Sequence, residues 1–130
     1  MRTRNKDLEF ISLKIAPKHA KPFLVACWYR PPTAEDVAFE NLRNSLKNLD
    51  QDDNEIILLG DTNCDFKNNQ SSNTKKLKAI YSEYQLEQLI RSYTRVAVTT
   101  NENGVQNVSK TLIDHFSTTN PINIQKADLY

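Results

Sequence analysis

The nine residues Glu55-Ile56-Ile57-Leu58-Leu59-Gly60-Asp61-Thr62-Asn63 constrain this chain more than any other stretch. Four consecutive large aliphatics run into a glycine, then a carboxylate, then a carboxamide two residues later. A short apolar run bounded by turn signals predicts a fully buried strand. Asp61 and Asn63 then stand where that strand emerges at its carboxyl end, the edge of an α/β sheet at which ligands and catalytic groups collect. The chain has only two glycines, where average usage of about 7% would give roughly nine. A scarce glycine directly before an acid predicts a backbone turn that only Gly fits.

The flanking sequence supplies partners for this strand. Leu8 to Ile15 alternates with Ile11, Leu13 and Ile15 on one face and reads as a strand. The polar connection from Pro17 to Pro22 suits a hairpin loop. Phe23 to Tyr29 is a near-continuous apolar strand that stops at Arg30-Pro31-Pro32, since proline cannot donate to a ladder. Thr33 reads as an N-cap with Asp36 three residues on, and Phe39, Leu42, Leu46 and Leu49 recur at helical spacing. A helix over 34–49 between two apolar strands makes a β–α–β unit, hence a layered α/β sandwich. Further on, Leu77, Ile80, Tyr81 and Tyr84 mark a second helix, and Leu86, Leu89 and Ile90 lead into a strand through Tyr93. Val96 to Thr99 reads as a short strand before the turn Asn101-Glu102-Asn103-Gly104, and Lys110 to Phe116 as a last strand.

At 130 residues the chain is one domain at most. Its net charge of +1 argues for no particular partner, so any nucleic-acid contact must be local. The basic groups Arg2, Arg4 and Lys6, and Lys75, Lys76 and Lys78, read as solvated faces. Cys27 and Cys64 match neither a zinc spacing nor a disulfide framework, which favours a reduced, intracellular setting with Cys27 buried as a small hydrophobe. No apolar run approaches the roughly 18 residues of a membrane span.

Three constellations stand in order: Tyr29-Arg30-Pro31-Pro32, Gly60-Asp61-Thr62-Asn63, and Thr111-Leu112-Ile113-Asp114-His115. Each alone is ordinary turn or strand chemistry. Asp114 and His115, as adjacent strand residues, point to opposite faces and should not pair. His115 reads as structural and His19 as solvated. Together and in this order, the three resemble the endonuclease/exonuclease/phosphatase superfamily, and within it the endonuclease domain of non-LTR retrotransposons. The resemblance runs from about Leu8 to Asp128 and takes in the Leu-Ile-Arg-Ser-Tyr-Thr-Arg stretch at 89–95.

That resemblance implies a four-layer α/β sandwich, two sheets flanked by helices, which cleaves phosphodiesters with a divalent metal, usually Mg²⁺. It assigns Asp61 to orienting or deprotonating the attacking water, Asn63 and Tyr29 to the scissile phosphate, and Asp114 to holding a catalytic histidine in its tautomer. Arg30 and Thr111 fall at substrate-binding positions, Thr111 near the DNA backbone. The family's tyrosine motif often ends in asparagine, where this chain has Pro32.

The family's metal-binding glutamate and an early asparagine belong before Leu8, and its final Ser-Asp-His motif after the Asp114 strand. The expectation is therefore a partial domain, 1–130, roughly the second half without its terminal strands and without metal ligands of its own. As a working expectation it is a fragment of a DNA-nicking endonuclease associated with a reverse transcriptase. Its partners would be DNA and the missing half of the domain or a reverse transcriptase in the parent polyprotein, with no membrane, and its place the nucleus where the parent element is active. The alternative is a catalytically inactive remnant acting at most as a binding module. A phosphoinositide or other small phosphate ester as substrate finds no support in additional motifs.

Overall fold

The computed structural model describes residues 2–5 and 9–124. Lys6, Leu8 and the stretch beyond Ile124, Asp128 included, lie outside the described residues. The elements are β1 (Arg2–Asn5), β2 (Glu9–Ile15), β3 (Phe23–Tyr29), α1 (Val37–Leu49), β4 (Glu55–Asp61), α2 (Ser72–Glu83), β5 (Glu87–Gln88), β6 (Arg95–Thr100), β7 (Gln106–Thr111) and β8 (Asp114–Thr118). Six strands form one sheet in the order β1-β2-β3-β4-β8-β5, and β6 and β7 pair as a separate ribbon. The expected β–α–β unit is present: β3 and β4 run parallel, with α1 as the crossover between them.

Alternation along the strands decides where the core lies. Phe10, Leu24, Ala26, Trp28, Ile56 and Leu58 point to one face. There they pack under Phe39, Leu42 and Leu46 of α1 and Leu77, Ile80 and Tyr81 of α2 as a single buried cluster. The opposite face has no such cover among the described residues. Ile11 and Leu13 are 40% and 47% exposed, Cys27 is exposed, and Val25, Ile57 and Leu59 are half-buried. The expectations of a fully buried β4 and a buried Cys27 are thereby corrected. Both helices lie on one side of the sheet, so an apolar run buries only every second residue.

Three boundaries also differ from the sequence reading. Thr33 does not cap α1; the Pro31-Pro32 turn closes through an Ala34 N–H to Pro31 O bond of 3.1 Å, and the helix starts at Val37 after Asp36. The strand expected through Tyr93 stops at Gln88. The side chain of Gln88 bonds both the N–H and the carbonyl of Ile90, at 2.8 Å each, and bends the chain away. The strand expected over 110–116 is two strands in different sheets. Leu112 and Ile113 are both buried, at 3% and 7% exposure, which strict alternation in one half-covered strand would forbid. Helix α2 begins at Ser72, with the Ser71 hydroxyl accepting the Thr74 N–H at 3.4 Å, a cap the sequence reading did not single out.

Gly60 is required for a reason other than a turn. It lies inside β4 with φ +154°, and a Cβ built there would stand 1.8 Å from the carbonyl oxygen of Trp28 on β3. Directly opposite Gly60 on β8, His115 pins the layer beneath the sheet edge. Its Nε2 lies 3.2 Å from the Leu112 carbonyl, which can only accept, so Nε2 carries the proton. Nδ1 then accepts from the Tyr81 hydroxyl at 3.1 Å, and Phe66 packs edge-on against the ring at 4.3 Å. Burial pushes the imidazole down to about 4.

Two predictions follow from this packing. Gly60→Ala should cost about 3 kcal/mol or more, because backbone atoms of β3 cannot yield as a side chain can. Gly104→Ala, at φ +76° with nothing within 4 Å, should cost only about 1 kcal/mol. Urea denaturation of both variants tests the contrast, and equal costs would refute the clash. For His115, the folded chain disfavours the proton that the unfolded chain accepts below about pH 6.5. Stability from this group is therefore complete above that pH. It falls by on the order of 3 kcal/mol as pH drops to about 4. An NMR titration should find the His115 ring neutral at pH 5.5; a midpoint near 6.5 would contradict the buried ties.

Candidate active site

The carboxyl ends of β3 and β4 and the start of β8 meet at one corner of the sheet. Asp61 closes β4 directly opposite Asp114, which opens β8. Paired residues of an antiparallel ladder hold their Cβ atoms about 4.5–5.5 Å apart, so two carboxylates share this edge. Tyr29 closes β3 and is 40% exposed. The β3–β4 register, with Cys27 beside Leu59, carries on to bring Tyr29 alongside Asp61. By alternation Tyr29, Asp61 and Asp114 all belong to the uncovered face. His115 belongs to the core, so the adjacent Asp114 and His115 do not meet.

Asn63 enters from the loop behind Asp61 in a left-handed conformation, φ 50°, which asparagine tolerates better than most residues. Its N–H donates to Asp61 Oδ1 at 3.1 Å, and its side-chain Nδ2 donates to the Arg30 carbonyl at 2.7 Å. The Arg30 N–H in turn donates to the Asp61 carbonyl at 2.9 Å. Asp61, Asn63 and the end of β3 are thus tied into one rigid unit. The first carboxylate oxygen of Asp61 is held by backbone, which leaves Oδ2 for an outside partner.

Arg30 itself departs from its expected role. It is 3% exposed, with its guanidinium 4.9 Å over the Phe39 ring and donating to the carbonyls of Ala34 at 3.3 Å and Thr62 at 3.5 Å. A side chain turned inward against a helix cannot reach a substrate phosphate, so Arg30 positions the loop. Thr111 ends β7 half-buried at the foot of the ribbon, where its carbonyl accepts the Thr94 N–H at 2.9 Å.

Three positioning residues escaped the sequence reading because nothing in periodicity singles them out. Thr62 is 2% exposed; its hydroxyl donates to Ile113 O at 3.1 Å and accepts the Cys64 N–H at 3.1 Å. Asp65 Oδ1 accepts the N–H groups of Lys67 and Leu112, both at 3.0 Å. The Thr94 hydroxyl accepts from the N–H groups of Ile113 and Asp114, both at 3.1 Å, and so places the start of β8. Glu9, the only early glutamate but in a different strand context from the family's metal-binding one, stands opposite Tyr29 on β2 and adds a carboxylate to the same row, about 10 Å from Asp61 at ordinary strand spacing.

Among the described residues no group of three or more His, Cys, Asp or Glu could hold a metal ion. Asp61 and Asp114 bring two carboxylates to this edge, hard oxygen donors of the kind a divalent ion takes with water and substrate filling the rest of its shell. No step below runs through a metal. No helix among them is long and apolar enough to cross a membrane.

No protein-family model matches the sequence, and no curated protein matches it. Solved structures do. The endonuclease domain of TRAS1, a telomere-specific non-LTR retrotransposon, superposes with a TM-score of 0.62 at 14% identity, over 88% of this chain and 57% of that one. An endonuclease/exonuclease/phosphatase family protein from Bacteroides thetaiotaomicron gives 0.55 at 16% identity, over 85% of this chain and 40% of that one. This chain therefore spans about half the length of the structures it matches. One sheet with helices on a single face is two of the four layers of that sandwich, and the chain carries, in part, the endonuclease/exonuclease/phosphatase fold.

Proposed function

We propose that this chain is part of a phosphodiesterase site that nicks DNA, of the kind found beside a reverse transcriptase in retroelements. The observation that carries the reading is the corner itself. Asp61 and Asp114 oppose each other across two strands, with Tyr29 on the third and Asn63 locked against Asp61. Asp61, one oxygen held by the Asn63 N–H, keeps the other for the proton of an attacking water. The Tyr29 hydroxyl and the remaining Asn63 amide hydrogen are donors for the phosphate oxygens, where negative charge grows during attack. Asp114 is an acceptor able to orient a histidine supplied from elsewhere. Mg²⁺ belongs to the completed domain in this reading, with its further ligands outside the described residues.

A second reading, a catalytically inactive remnant that survives as a binding module, draws support from the same corner. It holds two carboxylates and no metal-binding cluster among the described residues. One experiment separates the two. The chain alone should not nick supercoiled plasmid in Mg²⁺ above background, because losing one member of a coupled catalytic set forfeits most of the rate. A chimera in which residues 9–124 replace the matched part of the TRAS1 endonuclease domain should nick. In it, Asp61→Ala should lower the rate by about 10²–10⁴-fold and Asn63→Ala by about 10²–10³-fold. A chimera that melts cooperatively yet leaves plasmid intact would rule out the nuclease reading in favour of the remnant.

A further inference from the structure

A cavity of about 540 Å³ opens between the loop at 65–70, the second half of α2 and the segment 86–91. None of Tyr29, Asp61, Asn63 and Asp114 lines it, so it is separate from the candidate active site. Its floor is apolar and partly aromatic, with Phe66, Leu86, Ile90 and Leu112. Its rim carries three cations, Lys67, Lys78 and Arg91, against one carboxylate among the described residues, Glu87. A volume within the roughly 300–1,000 Å³ of small-molecule sites, lined by apolar side chains with a few convergent polar groups, marks a ligand pocket.

Two of the three cations are held in place. Lys75 and Lys76 stay on the surface, as expected; Lys75 is exposed and Lys76 pairs with Asp36 at 2.8 Å. Lys78 instead turns over the Phe66 ring, 5.0 Å from its centroid, and donates to Asn69 Oδ1 at 2.6 Å. Lys67 stands 5.0 Å over the Tyr93 ring. An ammonium held over a ring face has given up rotamer freedom before an anion arrives, which lowers the cost of binding one. Arg91 is tied only by a 3.5 Å contact with Glu87 between exposed side chains, and such a pair contributes little. Gln88 completes the set from within, at 7% exposure. Its Oε1 accepts the N–H groups of Ile90 and Phe116, and its Nε2 donates to the Ile90 carbonyl. One Nε2 hydrogen remains beyond these bonds for an outside acceptor.

We propose that this cavity binds a nucleotide unit, a phosphate beside a planar base. The rim suits the phosphate, since ammonium groups meet its oxygens as point charges and a guanidinium meets them as a fork. The floor suits the base, because every base offers a π-face to an aromatic side chain. Neither half accounts for the lining alone. Inorganic phosphate would leave the apolar floor wet, and an uncharged ring would leave the excess positive charge unmatched. Two sources carry this chemistry, a free nucleoside monophosphate and one residue of a single-stranded nucleic acid. The assignment uses none of the corner residues and so stands or falls independently of the nuclease reading.

Titration of the chain with thymidine 5′-monophosphate, followed by amide NMR, tests the site. The signals of Lys67, Gln88 and Arg91 should shift saturably, and those of Tyr29 and Asn63 should not. Thymidine and inorganic phosphate should each bind at least about 10-fold more weakly. Lys67→Gln and Arg91→Gln, both at exposed positions, should each weaken binding by about 10-fold. Lys47→Gln, the same loss of charge on the exposed side of α1, should leave it unchanged. A thymidine tetranucleotide separates the sources: tighter binding than the monophosphate assigns the cavity to a strand, weaker binding to the free nucleotide. Three results overturn the proposal: no saturable shift at Gln88 and Arg91, inorganic phosphate binding as tightly as the nucleotide, or Arg91→Gln behaving like Lys47→Gln.

Discussion

Everything at the candidate site depends on how closely β3 and β4 approach at their carboxyl ends. Gly60 leaves room for the Trp28 carbonyl where a Cβ would collide with it. That approach lets the Arg30 N–H reach the Asp61 carbonyl and the Asn63 amide reach the Arg30 carbonyl. Each bond contributes about 1 kcal/mol net, but the geometry matters more than the sum. Two parallel strands are cross-linked where they would otherwise splay, and the linking groups belong to the residues that carry the carboxylate and the carboxamide. A side chain held by backbone on both sides loses little entropy when it meets a substrate, which is what preorganisation requires.

Arg30 shows why a positional analogy and a physical reading can part. Its place beside Tyr29 in a charged, proline-bounded motif reads as an outward phosphate contact. The fold instead gives the chain end two prolines, forcing a turn that brings Phe39 of α1 over the guanidinium at 4.9 Å. A buried charge is tolerated there because carbonyl oxygens and an aromatic face replace part of its hydration. The outcome is a cation that braces the Thr62 and Ala34 carbonyls from within.

The legible and illegible parts of this chain divide along a physical line. Local patterns found β3, α1, β4 and α2, because a 3.6-residue stripe or an apolar run with clear stops is visible without knowing the neighbours. Asp61, Asn63, Tyr29 and Asp114 came to one corner because three strand ends converge there, as a parallel β–α–β unit with an antiparallel neighbour requires. What stayed hidden depends on contacts distant in sequence. The break between β7 and β8 is made by Asp65 and Thr94 capturing the N–H groups of Leu112, Ile113 and Asp114. The short β5 is ended by the side chain of Gln88 turning back on Ile90. Neither leaves a periodic signal.

The half-covered sheet explains the remaining misreading. Four consecutive aliphatics in β4, Ile56 to Leu59, predict burial on both faces, and that inference about the sequence is sound. Only one face is buried within the described residues, so the sequence records an environment larger than these residues create. Four aliphatics in a row would be a liability on an exposed sheet, since each half-buried side chain forgoes part of the roughly 1.5–3 kcal/mol of full burial. They make sense where a second layer restores it. The candidate catalytic groups Asp61 and Asp114 occupy the same face as these aliphatics, so packing and chemistry share one surface of the sheet.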